Sequence, residues 1–375
     1  MKNPFKKILS SVNVFGSDEA DSVVGIDIGT SAIKVVELKK KGGKAVLETY
    51  GAIALGPYAD IDVGRTTNLP VEKITLALKE VLKHSSVSSS SAALSIPMQS
   101  SLIFTIELPS QVKEAELPTI IPVESRKYIP VPISEVSLDY FILPEKEPSF
   151  EEINTREGNE SKNDKKRVLV VATQNDAVSR YRSIVSECKL SSSFFEIEVF
   201  SSVRANFEHE LSLVLLMDFG ASRTKLSLVE FGTVKSYHTV ERGGAEISES
   251  ISKSLSIPFS EAEKMKKEFG LFDNPAEKTI KDIIKVHADY IFSEANNTLL
   301  AYERKYQKTV SKVILTGGGA LMKGLKEAAS ENFRTEVEVG HPFGKVGAPQ
   351  FLDKVLSTMG PEFAVSIGLA LRKLQ

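Results

Sequence analysis

The sequence predicts an α/β fold made of two duplicated lobes, with a further unit inserted into the first. Three observations carry that prediction. The stretch VVGIDIGTSAIKVVEL, Val23 to Leu38, and the stretch LLMDFGASRTKLSLV, Leu215 to Val229, share one grammar: apolar strand, D-x-G, small polar residues, returning strand. Each is followed by another strand-like run, as in a β-meander, so a duplicated module is the economical reading. Near the end, KVILTGGGALMKGL adds a strand, a glycine turn and a helix start.

Taken in order, Val23–Ile28 and Ala32–Leu38 are β-branched runs, the chain turns at Gly42 and Gly43, and Val46–Leu55 reads as a third strand. LPVEKITLALKEVLKHS places Ile74, Leu78, Val81 and Leu82 at helical spacing after Pro70. The Ser-rich turn Ser85–Ser91 leads to a buried strand, SAALSIP. The inserted unit opens after Pro97 with strands SLIFTIELP, EVSLDYFIL and RVLVVATQ and the helix NDAVSRYRSIVSECKL, capped by Asn175 or Asp176. Pro118 and Pro122 interrupt or start any helix in EAELPTIIPVESRKYIPVP. The charged, aliphatic-poor segment PEKEPSFEEINTREGNESKNDKKR is expected to be a mobile loop or hairpin tip. FFEIEVFSSVRANFEHE then gives a strand and a short helix.

In the second lobe the expected strands are Leu213–Met217, Lys225–Glu230 and Val234–Val240. Pro258 ends one helix, and Ser260 with Glu263 three residues on reads as the cap of the next. From Thr279 to about Tyr306 a long helix sets Ile280, Ile283, Ile284, Tyr290, Ile291 and Leu299 near one side. PEFAVSIGLALRKLQ closes the chain as an amphipathic helix.

Composition excludes several function classes. A chain of 375 residues suffices for two domains or one bilobed unit, and 42% hydrophobic with 26% charged residues is ordinary for a globular protein. The formal charge of −2 gives no reason to expect a nucleic-acid partner. The single cysteine, Cys188, excludes disulfide frameworks and cysteine zinc clusters. No apolar run reaches the ~18–20 residues needed to span a bilayer. The start, MKNPFKKILSSVNVF, lacks the pattern of a cleaved leader and reads as a mobile, solvated tail, with contact of Lys2, Lys6 and Lys7 to an anionic membrane surface as the alternative.

The turns carry the chemistry. DIGTSAIK offers Asp27, Gly29, Thr30, Ser31 and Lys34. Without a Cβ, Gly29 lets an anion approach the backbone, and successive amides form a concave anion site. Asp27 repels phosphate unless a cation lies between them, most simply Mg2+ held through water. DFGASRTK repeats the logic with Asp218, Gly220, Ser222 and Thr224. Two such turns facing each other would hold a polyphosphate from both sides, with Asp27 and Asp218 flanking the metal. In LTGGGA, Gly317, Gly318 and Gly319 either let a flat ligand or a phosphate meet the backbone, or serve a crowded strand-to-helix turn.

The order D-x-G-[TS], D-x-G, T-G-G-G-A resembles the actin-like ATPase superfamily of actin, DnaK-type chaperones, sugar kinases and FtsA. The resemblance implies a cofactor, ATP or ADP with Mg2+. Asp27, Gly29, Thr30 and Ser31 would form the first phosphate clamp, with Lys34 within reach. Asp218, Gly220, Ala221 and Ser222 would form the second, and Gly317–Gly319 would flank the nucleoside. VVGIDIGTSAIKVVEL, YGAIALG, ESRKYIPVPISEVSLDYFIL, EIEVFSSVRANF and MDFGASRTKLSLV together resemble the PilM family, cytoplasmic actin-like proteins of type IV pilus assembly machines. That likeness implies two RNase H-like lobes with an FtsA-type inserted subdomain. Its plan is a flexible tail 1–21, a first subdomain of 22–98, 191–212 and 361–375, an insert at 99–190 with a mobile tip 145–167, a third subdomain of 213–258 and 311–360, and a helical fourth at 259–310.

The same resemblance implies a partner: the N-terminal tail of a PilN-like inner-membrane protein, in a groove between the first and inserted subdomains. Tyr128, Ile129, Pro130 and Tyr140 would line it. Membrane association would then be indirect, the location cytoplasmic and peripheral to the inner membrane, with other pilus machine components and a homo-oligomer as further contacts. In actin and FtsA a His or Asp stands seven residues after the second clamp aspartate. Here that position is Lys225, which cannot act as a base while protonated, leaving Glu198 and Asn206 as polar candidates and slow turnover as the expectation. Two alternatives stand beside this reading. A small-molecule kinase would need a carboxylate in the substrate cleft, and the segment before Asp218 offers no compelling one. An FtsA-like filament protein would end in a membrane-binding helix, whereas this sequence stops at LALRKLQ.

Overall fold

A computed structural model describes residues 22–143, 165–208, 212–272 and 278–374. The described residues divide into two units, Ile96–Tyr181 and the remainder. The expected tail 1–21 lies outside the described residues, as does the expected tip up to residue 164.

The remainder holds both lobes. In the first, β1 (Ser22–Ile28), β2 (Ala32–Lys41) and β3 (Lys44–Ala54) form the expected meander, followed by α1 (Val71–His84) and β4 (Ser91–Ile96). With β8 (Ser191–Ile197) they form a sheet ordered β3-β2-β1-β4-β8, with β1 antiparallel to β2 and parallel to β4. In the second, β9 (Val214–Phe219), β10 (Thr224–Glu230), β11 (Thr233–Val240), β12 (Lys312–Thr316) and β13 (Glu336–Val339) give the order β11-β10-β9-β12-β13. Here β9 is antiparallel to β10 and parallel to β12. The two sheets thus share one topology. They also share an irregularity: the register slips between Glu37 and Leu38 on β2 and between Leu228 and Val229 on β10, equally far past each aspartate. The central strands read as continuous apolar runs because both faces are covered; Val214, Leu215, Leu216 and Met217 are all buried.

The C-terminal helix α10 (Ala364–Leu374) packs on β1, on β2 and on α4 (Glu198–Asn206). Two glycines permit this closeness. A Cβ at Gly25 would fall onto the Ser366 carbonyl, and one at Gly368 onto the Ser201 carbonyl. A cluster at Glu196 fixes the same junction. Its buried carboxylate accepts from Arg204 Nη1 (2.7 Å) and Nη2 (2.8 Å), from Arg372 Nη1 (2.7 Å) and from the Ser201 hydroxyl.

In the second lobe α5 (Gly244–Leu255), α6 (Phe259–Phe269) and α7 (Lys278–Tyr306) cover one sheet face, and α8 (Leu325–Phe333) and α9 (Asp353–Met359) precede α10. Two expectations need correction here. α6 starts without a side-chain cap, and Glu263 instead accepts from Ser248 Oγ (2.5 Å) and Lys266 Nζ (2.6 Å). On α7 the buried stripe includes Ile280, Ile284, Ile291 and Phe292, whereas Tyr290 is exposed beneath the Arg242 guanidinium, 4.3 Å from its ring centre. One residue before Ile291, Tyr290 is turned about 100° off the stripe.

The unit Ile96–Tyr181 has its own sheet, β5-β7-β6, antiparallel throughout: β5 (Ser101–Pro109), β6 (Val136–Ile142) and β7 (Lys165–Gln174). Its core joins Ile106, Leu108, Val168 and Val170 to Leu117 and Ile121 of α2 (Leu117–Ser125). α2 contains both prolines. Pro118 lies in the first turn, where no N–H partner is required, and Pro122 removes only the bond to the Pro118 carbonyl. Asn175, at the start of α3 (Asn175–Glu187), accepts from Ser137 Oγ (2.8 Å) and donates to the Ser134 carbonyl (2.9 Å).

Candidate functional site

The β1–β2 and β9–β10 turns come from different lobes of one unit, and they meet. Thr30 Oγ1 donates to Ser222 Oγ across 3.3 Å. Each turn closes on its glycine: the Gly29 N–H donates to the Ala32 carbonyl (3.0 Å) and the Gly220 N–H to the Arg223 carbonyl (3.0 Å). These two amides are therefore engaged in the turns. The tip carbonyls are engaged as well. That of Thr30 accepts from the Thr67 N–H (2.8 Å), that of Ser31 from Leu55 (2.9 Å), that of Gly220 from Gly244 (3.0 Å) and that of Ala221 from Ala245 (2.9 Å). Among the described residues the N–H groups of Thr30, Ser31, Ala221 and Ser222 have no backbone acceptor. Carbonyls turned into neighbouring loops and amides left over make a nest for an anion.

Beneath the tips lies a charged cluster drawn from both lobes. In register, Asp27 stands opposite Lys34 and Asp218 opposite Lys225. Asp27 Oδ1 accepts from Ser95 Oγ on β4 (2.7 Å). Lys225 Nζ donates to Glu198 Oε2 (2.6 Å), at the start of α4, and lies 3.4 Å from Asp218 Oδ2. Burial opposes the charge on Lys225, yet Asp218, Glu198 and Asp27 outweigh it and hold the ammonium proton firmly. Burial and the two aspartates push the Glu198 carboxyl up against the pull of Lys225. Tyr237 of β11 borders the cluster, its phenol pushed up by burial and by the Glu198 charge.

Several expected residues play other parts. Thr224 is fully buried and its hydroxyl donates to the Arg242 carbonyl (2.9 Å), so it does not reach the tip. Asn206 Nδ2 donates to the Ser202 carbonyl (2.8 Å) in the first lobe and to Thr316 Oγ1 (3.4 Å) at the end of β12 in the second. Of the three glycines, Gly317 and Gly319 serve packing. A Cβ at Gly317 would fall onto Asp218 Oδ1, and one at Gly319 would come within 2.7 Å of Phe219 Cβ. Only Gly318 faces room, its nearest neighbour being Glu362 Cγ at 3.6 Å.

The donor set fits a polyphosphate: unbonded tip amides, the hydroxyls of Thr30, Ser31 and Ser222, and one ammonium. The expected Mg2+, held through water by Asp27 and Asp218, would share Asp218 with Lys225. Asp218 Oδ2 lies 3.4 Å from Lys225 Nζ, so a metal bonded directly to that oxygen would have to displace the ammonium.

The loop between β3 and α1 was silent in the sequence. Thr67 holds the first tip, and Arg65 crosses to the second lobe, pairing with Glu249 on α5 (2.8 Å) and lying 4.1 Å over the Phe259 ring on α6. Arg65→Ala is expected to remove about 1 kcal/mol, because a partly exposed ion pair and one cation–π contact are each worth about 0–1 kcal/mol. Hydrogen exchange should quicken in α5 and α6 and stay unchanged in both sheets.

Two equivalent sheets with facing D-x-G turns and an inserted three-stranded unit define an actin-like ATPase fold. Over 94% of its length the chain superposes on the PilM-PilN type IV pilus biogenesis complex, covering 98% of that chain with a TM-score of 0.77 and 23% identity. The ethanolamine utilization protein EutJ of Carboxydothermus hydrogenoformans matches with a TM-score of 0.54 and 16% identity, over 93% of this chain and 89% of its own. The chain belongs to the family of the type IV pilus assembly protein PilM, whose model matches residues 25–374. Among curated relatives, the cell division protein FtsA of Neisseria meningitidis serogroup B is 25% identical over 54% of this chain and 53% of its own length. FtsA of Escherichia coli K12 is 21% identical over 54% of each. The chain thus spans about half the length of the curated relatives it matches. Among the described residues no helix is long and apolar enough to cross a membrane.

Proposed function

We propose that this protein is a nucleotide-binding scaffold of a type IV pilus assembly machine, which holds ATP or ADP between its hairpin tips and docks the extended N-terminal tail of a PilN-like inner-membrane protein. One observation carries the nucleotide reading: both tips turn their carbonyls away and leave adjacent amides unbonded where Thr30 meets Ser222. Bound there, a nucleotide supplies the phosphates that these amides and hydroxyls grip. Turnover is slow, because the residue seven places after Asp218 is a protonated lysine locked to Glu198.

The partner reading is supported by the family and by the PilM-PilN complex as a structural relative. The inserted unit offers suitable surface. The Tyr128 ring stacks on Phe104 (4.8 Å between centres) and stays 48% exposed, with exposed Val123, Pro130 and Val131 on the same segment. Its sheet ends in two edge strands, β5 and β6, and an extended peptide can add to such an edge. Ile129 is buried and Tyr140 half-buried against the core, so Tyr128 and Pro130 are the contact residues. The protein then works in the cytoplasm, at the inner membrane through its partner. Titrating a synthetic tail peptide of the organism's PilN-like protein tests this: saturable binding, weakened about tenfold by Tyr128→Ala, is expected. No calorimetric or fluorescence change on titration would contradict it.

A further inference from the structure

We propose that Lys225 is the cation through which this cleft accepts a nucleoside polyphosphate, so that nucleotide binding does not require a divalent metal. The inference rests on the nucleotide reading above. A polyphosphate brings several negative charges to a floor that already holds Asp27, Asp218 and Glu198, and like charges at this range repel strongly. A cation must lie between them, and the chain supplies one. Lys225 Nζ sits 2.6 Å from Glu198 Oε2 and 3.4 Å from Asp218 Oδ2, on the β10 residue that faces Asp218.

The surroundings do not build a cage that would hold an ion without the nucleotide. Among the described residues no group of three or more His, Cys, Asp or Glu side chains could hold a metal. Lys34 occupies the equivalent register position opposite Asp27, but among the described residues Asp27 receives Ser95 and not Lys34. The equivalent lysines of the two hairpins therefore differ in placement, and among the described residues the second carries its cation into the cluster. An ammonium on a four-carbon stem has three rotatable donors. It can give one to a phosphate oxygen arriving between the tips while Glu198 keeps another, a charge-assisted contact of the strong kind.

The test is a calorimetric titration of ATP and ADP into the full chain, once with EDTA and once with Mg2+, for the wild type, Lys225→Met and Lys225→Arg. The wild type should bind in EDTA within about tenfold of its affinity in Mg2+, whereas Lys225→Met should lose more than about tenfold in EDTA and recover when Mg2+ is added. Lys225→Arg should keep binding in EDTA, which also serves if Lys225→Met does not fold. A wild type that binds in Mg2+ but loses more than about tenfold in EDTA overturns the inference and leaves the nucleotide reading standing. Lys225→Met binding as well as wild type in EDTA overturns it too. Wild type silent in both solutions overturns the nucleotide reading and this inference together.

Discussion

Glu196→Ala should cost about 3–5 kcal/mol of stability, the penalty for removing one partner of a buried ion cluster and stranding the others. Two guanidiniums, Arg204 and Arg372, converge on this fully buried carboxylate from α4 and α10. Arg204 Nη1 also donates to the Gly368 carbonyl (2.9 Å), where α10 lies closest to α4. Without the carboxylate, the arginines repel each other in the junction that seats the C-terminal helix. Urea unfolding should show a lower midpoint, with Glu196→Gln losing less because it keeps an acceptor. The pH dependence has a definite sign. Burial raises the Glu196 carboxyl, but Arg204, Arg372 and Ser201 more than reverse this, so its folded pKa lies below the ordinary value. A depressed carboxylate stabilises the fold above its unfolded pKa, and that contribution is lost as pH falls through the folded one. Acid unfolding of the wild type should therefore be steeper than that of Glu196→Gln. The consequence reaches the site, since α4 starts at Glu198.

Gly220→Val should weaken nucleotide binding about a hundredfold, the loss of one or two charge-assisted hydrogen bonds at about 1.5–3 kcal/mol each. A Cβ there would lie 2.8 Å from the Arg223 carbonyl that closes the turn, so the tip must reshape and its amides of Ala221 and Ser222 re-aim. The thermal shift produced by ATP at about 100 times the wild-type Kd should nearly disappear, because ligand stabilisation follows the logarithm of one plus the ratio of free ligand to Kd. The melting temperature without nucleotide should move little, as the tip is only partly buried and outside the lobe cores. A large drop in that unliganded value would instead mean that the turn supports the lobe and is not free to bind.

The lobes were legible because their signals are local. A D-x-G between two β-branched runs, met twice, gives the hairpins, and the run of apolar residues on β9 and β12 marks buried parallel strands. What escaped was set by distance in the chain. Nothing near Asp27 announces Ser95, nothing near Lys225 announces Glu198, and Arg65 finds Glu249 only once the lobes are folded. Side-chain direction decides other positions. Lys225 shares a face with Asp218, so its neighbour Thr224 must point the other way, into the core. The glycine run was legible as a turn, with crowding as one of its two readings, but the residue that crowds it was not, because Phe219 belongs to another strand.

A crystal structure of the chain grown with ATP should show phosphate density between Thr30–Ser31 and Ala221–Ser222, within hydrogen-bond reach of their amides and of Lys225. Nucleotide bound elsewhere, with the Thr30–Ser222 contact and the Lys225–Glu198 pair undisturbed, would contradict it.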